Sequence, residues 1–278
     1  MMHRFGSAAL ALALTAGLST AAFAEERPMT PALAARPYAN TIILNGDKLD
    51  TSAIPFMEDA ALVPMRLIAE GDFGSADWWA EDGMGIFFLG DSLLQVTFST
   101  GEIVLEDETV ASTGVLNSGV TFIPVDVLSQ VEGYEVKTSE GTIEITTPNN
   151  DPLIKAGHSV MKASKADMGI VSDREEMKEF YSIPTDEFES IFGMFSMMTS
   201  PDAVIMGKLK EGADVEAVKA AVEAYRAQQE ETFTWYLSDN LPKTQNAKVV
   251  EENGWFLFLI AAEAEAGVET FKAFAAAN

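Results

Sequence analysis

Leu62-Val63-Pro64-Met65-Arg66-Leu67-Ile68-Ala69-Glu70 returns about sixty residues later as Phe122-Ile123-Pro124-Val125-Asp126-Val127-Leu128-Ser129-Gln130. In each copy a β-branched residue precedes proline, and proline readily opens the first turn of a short helix. A strand pair around an acidic turn stands ahead of each copy, Ile42 to Leu49 before the first and Glu102 to Val110 before the second. Each copy is predicted to return through a hairpin, the second formed by Tyr134-Glu135-Val136-Lys137 and Thr142-Ile143-Glu144-Ile145-Thr146 around Glu140-Gly141. There Ile143 and Ile145 alternate with polar neighbours, the pattern of a half-buried strand. Residues 41–147 therefore read as a tandem repeat of strand-helix-hairpin units sharing one core.

The repeat ends at Thr147-Pro148-Asn149-Asn150-Asp151-Pro152, where two prolines and two asparagines oppose regular structure. A linker is expected over 148–157 and a second domain over 158–278. In that domain Ser172-x-x-Glu175 has the form of a capping box ahead of Met177, Phe180 and Tyr181. Thr185 is expected to cap a further helix carrying Phe188, Ile191, Phe192 and Phe195 on one face. Ala203 to Leu209 reads as a strand, and Asp214 opens a long helix with Val215, Val218, Val222 and Tyr225 along one stripe. Lys248-Val249-Val250 and Trp255 to Ile260, joined through Asn253-Gly254, make a hairpin. Ala264 to Ala276 closes as a helix. The predicted class is α+β for both domains, the second with helices covering one face of a small antiparallel sheet.

Before the repeat, Met1 to Arg4, an apolar run from Phe5 to Ala22 and Ala22-Phe23-Ala24 have the order of a cleavable signal peptide. Residues 1–24 are expected to be removed on export, and the proline-bearing stretch 25–40 to form an exposed leader. The sequence has no cysteine, so disulfides, thiol chemistry and lipidation on cysteine are excluded. The formal charge is −25, and loss of Arg4 with the signal makes it −26. A field of that sign repels nucleic acid and anionic lipid, so neither is an expected partner. A hydrophobic content of 47% argues for packed cores despite the charge. No stretch after the signal reaches membrane-spanning length, so no insertion is expected once it is cleaved.

Ile43-Leu44-Asn45-Gly46, Leu62-Val63-Pro64-Met65-Arg66 with Ile68-Ala69-Glu70, and Trp79 before a hairpin resemble the copper amine oxidase N-terminal (stalk-like) domain family. The resemblance spans about 41–147; Ala80 and Asp126 depart from the family pattern at an acidic and an arginine position. It implies a non-catalytic appendage, met in exported bacterial proteins, rather than copper chemistry. Copper(II) favours several imidazoles; the histidines are His3, inside the signal, and His158. The Asn-Tyr-Asp/Glu motif of the oxidase's quinone cofactor is also missing. Copper amine oxidation is excluded on those grounds. Residues 158–278 resemble the DUF4358 family of unknown function, through Gln228-Gln229 before Phe233-x-x-Tyr236, Asn246-Ala247-Lys248-Val249-Val250 and Asn253-Gly254-Trp255-Phe256.

No residue pattern here assembles catalysis, a cofactor site or a metal site. Met194, Met197 and Met198 could offer thioethers to Cu(I), but interleaved with Phe192 and Phe195 on the expected helix they read as core. Glu81-Asp82, Glu106-Asp107-Glu108 and Glu251-Glu252 read as solvated turns. Adjacent strand residues point to opposite faces, so of Trp78-Trp79 one is expected in the core, Trp79, and the other exposed. Trp78 is the candidate ligand contact. The expected function is that of an exported, non-enzymatic envelope or extracellular protein, a spacer and binding module docking cell-wall polymer or another envelope protein. The alternative is a secreted hydrolase using carboxylates of the second domain.

Overall fold

The computed structural model describes residues 38–59, 61–166, 169–196 and 199–278. The expected signal peptide, the leader up to residue 37, and Met197 and Met198 lie outside the described residues. The class is α+β, with seven α-helices and four sheets among the described residues.

The repeat region runs β1 (Thr41–Leu44), β2 (Asp47–Lys48), β3 (Leu62–Pro64), α1 (Met65–Gly71), β4 (Ala76–Trp79), β5 (Met84–Leu89) and β6 (Ser92–Thr97). It continues through β7 (Glu102–Leu105), β8 (Glu108–Thr113), β9 (Val115–Asn117), β10 (Val120–Pro124), α2 (Val125–Leu128), β11 (Glu135–Ser139) and β12 (Thr142–Thr146). Pro64 and Pro124 each end a strand in extended conformation, and the helix starts one residue later. Proline thus sits at the cap rather than in the first turn, where its missing N–H costs the helix nothing. The equivalent strands β3 and β10 pair antiparallel, while β1 lies parallel to β12, joining the first strand of one copy to the last strand of the other. One apolar core spans both copies, from Ile42, Val63 and Ile68 to Phe122, Leu128 and Ile145.

A buried polar knot closes that core. The Asp72 carboxylate, just past α1, accepts from Asn45 Nδ2 at 2.9 Å, Thr147 Oγ1 at 2.6 Å and the Tyr134 hydroxyl. Asn45 Oδ1 in turn accepts from the Thr147 amide at 2.9 Å. Burial, and then the carboxylate it donates to, push the Tyr134 phenol well above its ordinary range. Each polar group here is satisfied, as burial requires.

The second region runs α3 (Pro152–Ser164), β13 (Gly169–Ser172), α4 (Arg174–Tyr181), β14 (Phe188–Ser196), β15 (Ala203–Leu209), α5 (Val215–Trp235), α6 (Leu241–Gln245), β16 (Lys248–Glu252), β17 (Trp255–Ile260) and α7 (Ala264–Ala277). Its sheet has the order β13-β14-β15-β17-β16, with every pairing antiparallel. Helices cover both faces, not one. Leu153, Val160, Val268 and Phe271 pack with Phe192, Val204 and Leu257 on one side; Met177, Val218, Val222 and Tyr225 pack with Phe195, Ile205 and Phe258 on the other. Strand β17 signalled this by being apolar at every position, and β15 by being apolar at every position but Lys208, since a strand buried on both faces has little polar alternation.

Three further expectations are corrected. Residues 188–196 form a strand, not a helix. A bulge between Phe188 and Ser190 puts Phe188, Ile191 and Phe195 against one core and Phe192 against the other, so a bulged strand imitated helical spacing. The capping box lies one residue further on: Asp173 Oδ1 accepts from the amides of Glu175 and Glu176, and the Glu176 carboxylate accepts from the Asp173 amide. The expected linker 148–157 is helical from Pro152, because Asp151 accepts from the Leu153 and Ile154 amides as N-cap and proline suits the first turn.

Candidate functional site

Trp78 and Trp79 sit on β4, an edge strand of the sheet β4-β5-β6-β7-β8. Alternation holds, but the faces are exchanged relative to the expectation. Ala76 and Trp78 share the face whose core members are Phe87, Leu94 and Val96, whereas Trp79 points to the outer face. Trp79 is 53% exposed and is not core. Trp78, at the rim of the inner face, is 48% exposed. β4 is short and has a strand on one side only, so the core does not reach its end.

The cross-strand partner of Trp78 is Gly85. Without a side chain there, the Trp78 indole stacks on the Phe98 ring, centroids 4.5 Å apart and planes inclined by 23°. A Cβ at Gly85 would lie 2.9 Å from Phe98, which would have to shift, and 3.0 Å from Phe87, which would have to give by a few tenths of an ångström. The glycine therefore makes room for the aromatic pair.

This pair flanks a cavity of about 500 Å3 between α1, β4, β5, β10 and the loop around Asp50. Its walls are largely apolar, with Ile54, Leu67, Leu116 and Val120 beside Phe87. The polar residues include Arg66 and Glu70, one helical turn apart on α1 and ion-paired at 2.7 Å, Asp50, and the buried Thr121. The Asp50 carboxylate is held below its ordinary range chiefly by hydrogen bonds from Ser52, its backbone amide at 2.9 Å first. Asp77 also borders the cavity, but alternation sends its side chain to the opposite face of β4. An apolar cleft with an aromatic wall and a few polar groups at one side is suited to binding a small ring.

The other residues weighed from sequence lie elsewhere. Met194 is fully buried in the second core, on a strand. His158, on α3, is stacked on Phe73 at 4.0 Å and meets Phe192 edge-on at 5.3 Å; burial pushes its pKa down to about 4. Held between two rings, it is not placed as a copper ligand. Glu81 and Asp82 lie in the β4–β5 turn, Glu106 and Asp107 in the β7–β8 turn, and Glu251 and Glu252 at the end of β16. Among the described residues no three His, Asp or Glu side chains gather as a metal site. The sequence reading missed Phe98, Gly85 and the Arg66–Glu70 pair as companions of Trp78. A glycine seven residues after a strand tryptophan, across a turn, was the available signal.

Fold and cleft together define a two-part α+β protein whose repeat region carries the candidate binding site. Residues 43–147 match the copper amine oxidase N-terminal domain, and residues 161–262 match the domain of unknown function DUF4358. Both matches fall on the families that the sequence motifs resemble. The copper amine oxidase N-terminal domain is, as a family, a non-catalytic, stalk-like module. No curated protein and no solved structure matches the chain. No helix among the described residues is long and apolar enough to cross a membrane.

Proposed function

We propose that this is an exported, non-enzymatic protein of the cell envelope or extracellular space, whose repeat domain is a spacer that docks cell-wall polymer through the Trp78 cleft. The observation that carries the reading is the half-exposed Trp78 ring, stacked on Phe98 at the mouth of a cavity of about 500 Å3. Sugar rings offer an apolar C–H face to such indoles and hydroxyls to flanking polar groups. The non-catalytic character of the matching domain family supports a binding role over a chemical one. For the second domain the reading is that of an interaction module.

Co-sedimentation of the full chain with isolated cell wall tests this. Binding that is lost in Trp78→Ala while the variant keeps its fold is the expected result. Wall binding that ignores Trp78→Ala, or no binding at all, overturns the reading.

A further inference from the structure

We infer that the Trp78 cleft is a subsite for an uncharged N-acetylated amino sugar within a glycan strand, an assignment that rests on the docking role just proposed. Three features of the cleft select that chemistry together. The first is the platform: Trp78 and Phe98 stack as a ring pair in the room left by Gly85. A pyranose ring stacks on such a surface without ordering a flexible side chain first.

The second feature is the apolar wall. Leu67, Val120 and Leu116 present no polar atom to the cavity from their side chains. An acetamido methyl group is satisfied against that wall, away from the carboxylates at the rim, whereas an ammonium or a hydroxyl turned to the wall would lose its water without gaining a partner. The third is the charge at the rim. Arg66 is already engaged by Glu70 at 2.7 Å, and Asp50 adds a second carboxylate. Among the described residues of the cleft Arg66 is the one cation, its charge is offset by Glu70 and Asp50, and the −25 charge of the chain opposes a phosphodiester or a uronate. The paired guanidinium and carboxylates still offer donors and acceptors to neutral hydroxyls and to the acetamide carbonyl.

The test is titration calorimetry on the full chain with three probes: an N-acetylglucosamine tetramer, the corresponding glucosamine tetramer, and a glycerol-phosphate polymer. The N-acetylated oligomer is expected to bind, the deacetylated one about tenfold or more weakly, and the phosphodiester polymer not measurably. Trp78→Ala should abolish the first heat signal. Equal or tighter binding of the glucosamine tetramer, or binding of the phosphodiester polymer alone, overturns this inference. So does silence toward all three probes from a protein whose wall binding still depends on Trp78; that result leaves the docking role standing. Loss of Trp78 dependence in the wall assay removes the docking role itself, so the two failures are separable.

Discussion

Val63 and Ile123 are paired directly across β3 and β10, and each is wholly buried. They are also equivalent positions of the internal repeat, so the two copies meet about a local twofold centred on this pair. On either side Leu62 faces Pro124, and Pro64 faces Phe122. A repeat whose equivalent strands pair with one another cannot bury either half alone, which explains why a single core spans both copies.

Truncation at that centre should therefore be felt by both copies. Ile123→Ala is expected to cost about 2–5 kcal/mol, with Val63→Ala at the low end of that range. Because the side chains are neighbours, the double variant should depart from the sum of the singles by about 0.5 kcal/mol or more. Urea unfolding of the four proteins measures this. Additive losses would mean that the two strands are not coupled as described.

The division of the chain gives a second prediction. Each half has its own core, and contacts across the junction are few, such as Lys155 Nζ donating to the Asn45 carbonyl at 2.7 Å and the Phe73–His158 stack. Residues 38–150 and 151–278 are expected to fold as separate fragments, the cut being placed ahead of Asp151 to keep the cap of α3. A collapsed, poorly dispersed NMR spectrum from either fragment, beside a dispersed one from the full chain, would contradict this.

Much of this organisation was legible in the sequence, and what was not has physical causes. The repeat, the Asn253-Gly254 hairpin and the Asp214-capped helix follow from local signals, and β16–β17 and α5 are where those signals put them. Asn253 and Gly254 both take left-handed φ, of 52° and 76°, as a tight hairpin of this twist requires. Strand β14 was not legible because its bulge broke the period of two. The covering of both sheet faces was present in the unbroken apolar run of β17, but helix count alone does not assign a face. The cleft was half legible. An adjacent tryptophan pair on a strand guarantees opposite faces, yet which face meets the core depends on α1 and β10, far away in sequence. The Asp72 knot joins residues 45, 72, 134 and 147, and no local pattern announces such a meeting.

His158 sets a pH dependence. Its folded pKa of about 4 lies below the ordinary histidine value of 6.5 because burial disfavours the charged ring. The unfolded chain therefore takes up a proton that the folded one refuses between pH 6.5 and about 4. Stability contributed by the neutral ring is fully present above pH 6.5 and is lost as pH falls through that window, by at most about 3 kcal/mol. His158→Phe keeps a ring against Phe73 and Phe192 but cannot titrate. Its stability should fall less between pH 7 and pH 4.5 than that of the parent, in parallel urea titrations. Identical slopes would show that His158 is freely protonated in the folded protein.

The two tryptophans make opposite predictions for binding and similar ones for stability. Trp79 lies on the outer face and is half exposed, so Trp79→Ala should change stability by no more than about 1 kcal/mol and leave wall binding intact. Trp78→Ala should likewise spare the fold, since the ring rests on Phe98 at the rim and not within the core, but it should remove binding. Salt separates the mechanisms further. A chain of charge −25 gains no attraction from anionic wall polymers, and repulsion opposes the encounter until ions screen it, over about 8 Å at physiological strength. Docking by ring stacking and neutral hydrogen bonds should then hold or strengthen as salt rises. Co-sedimentation with isolated wall across a salt series, run on both variants and the parent, measures these effects together. Binding that collapses at moderate salt would point to charge pairing and away from the Trp78 cleft.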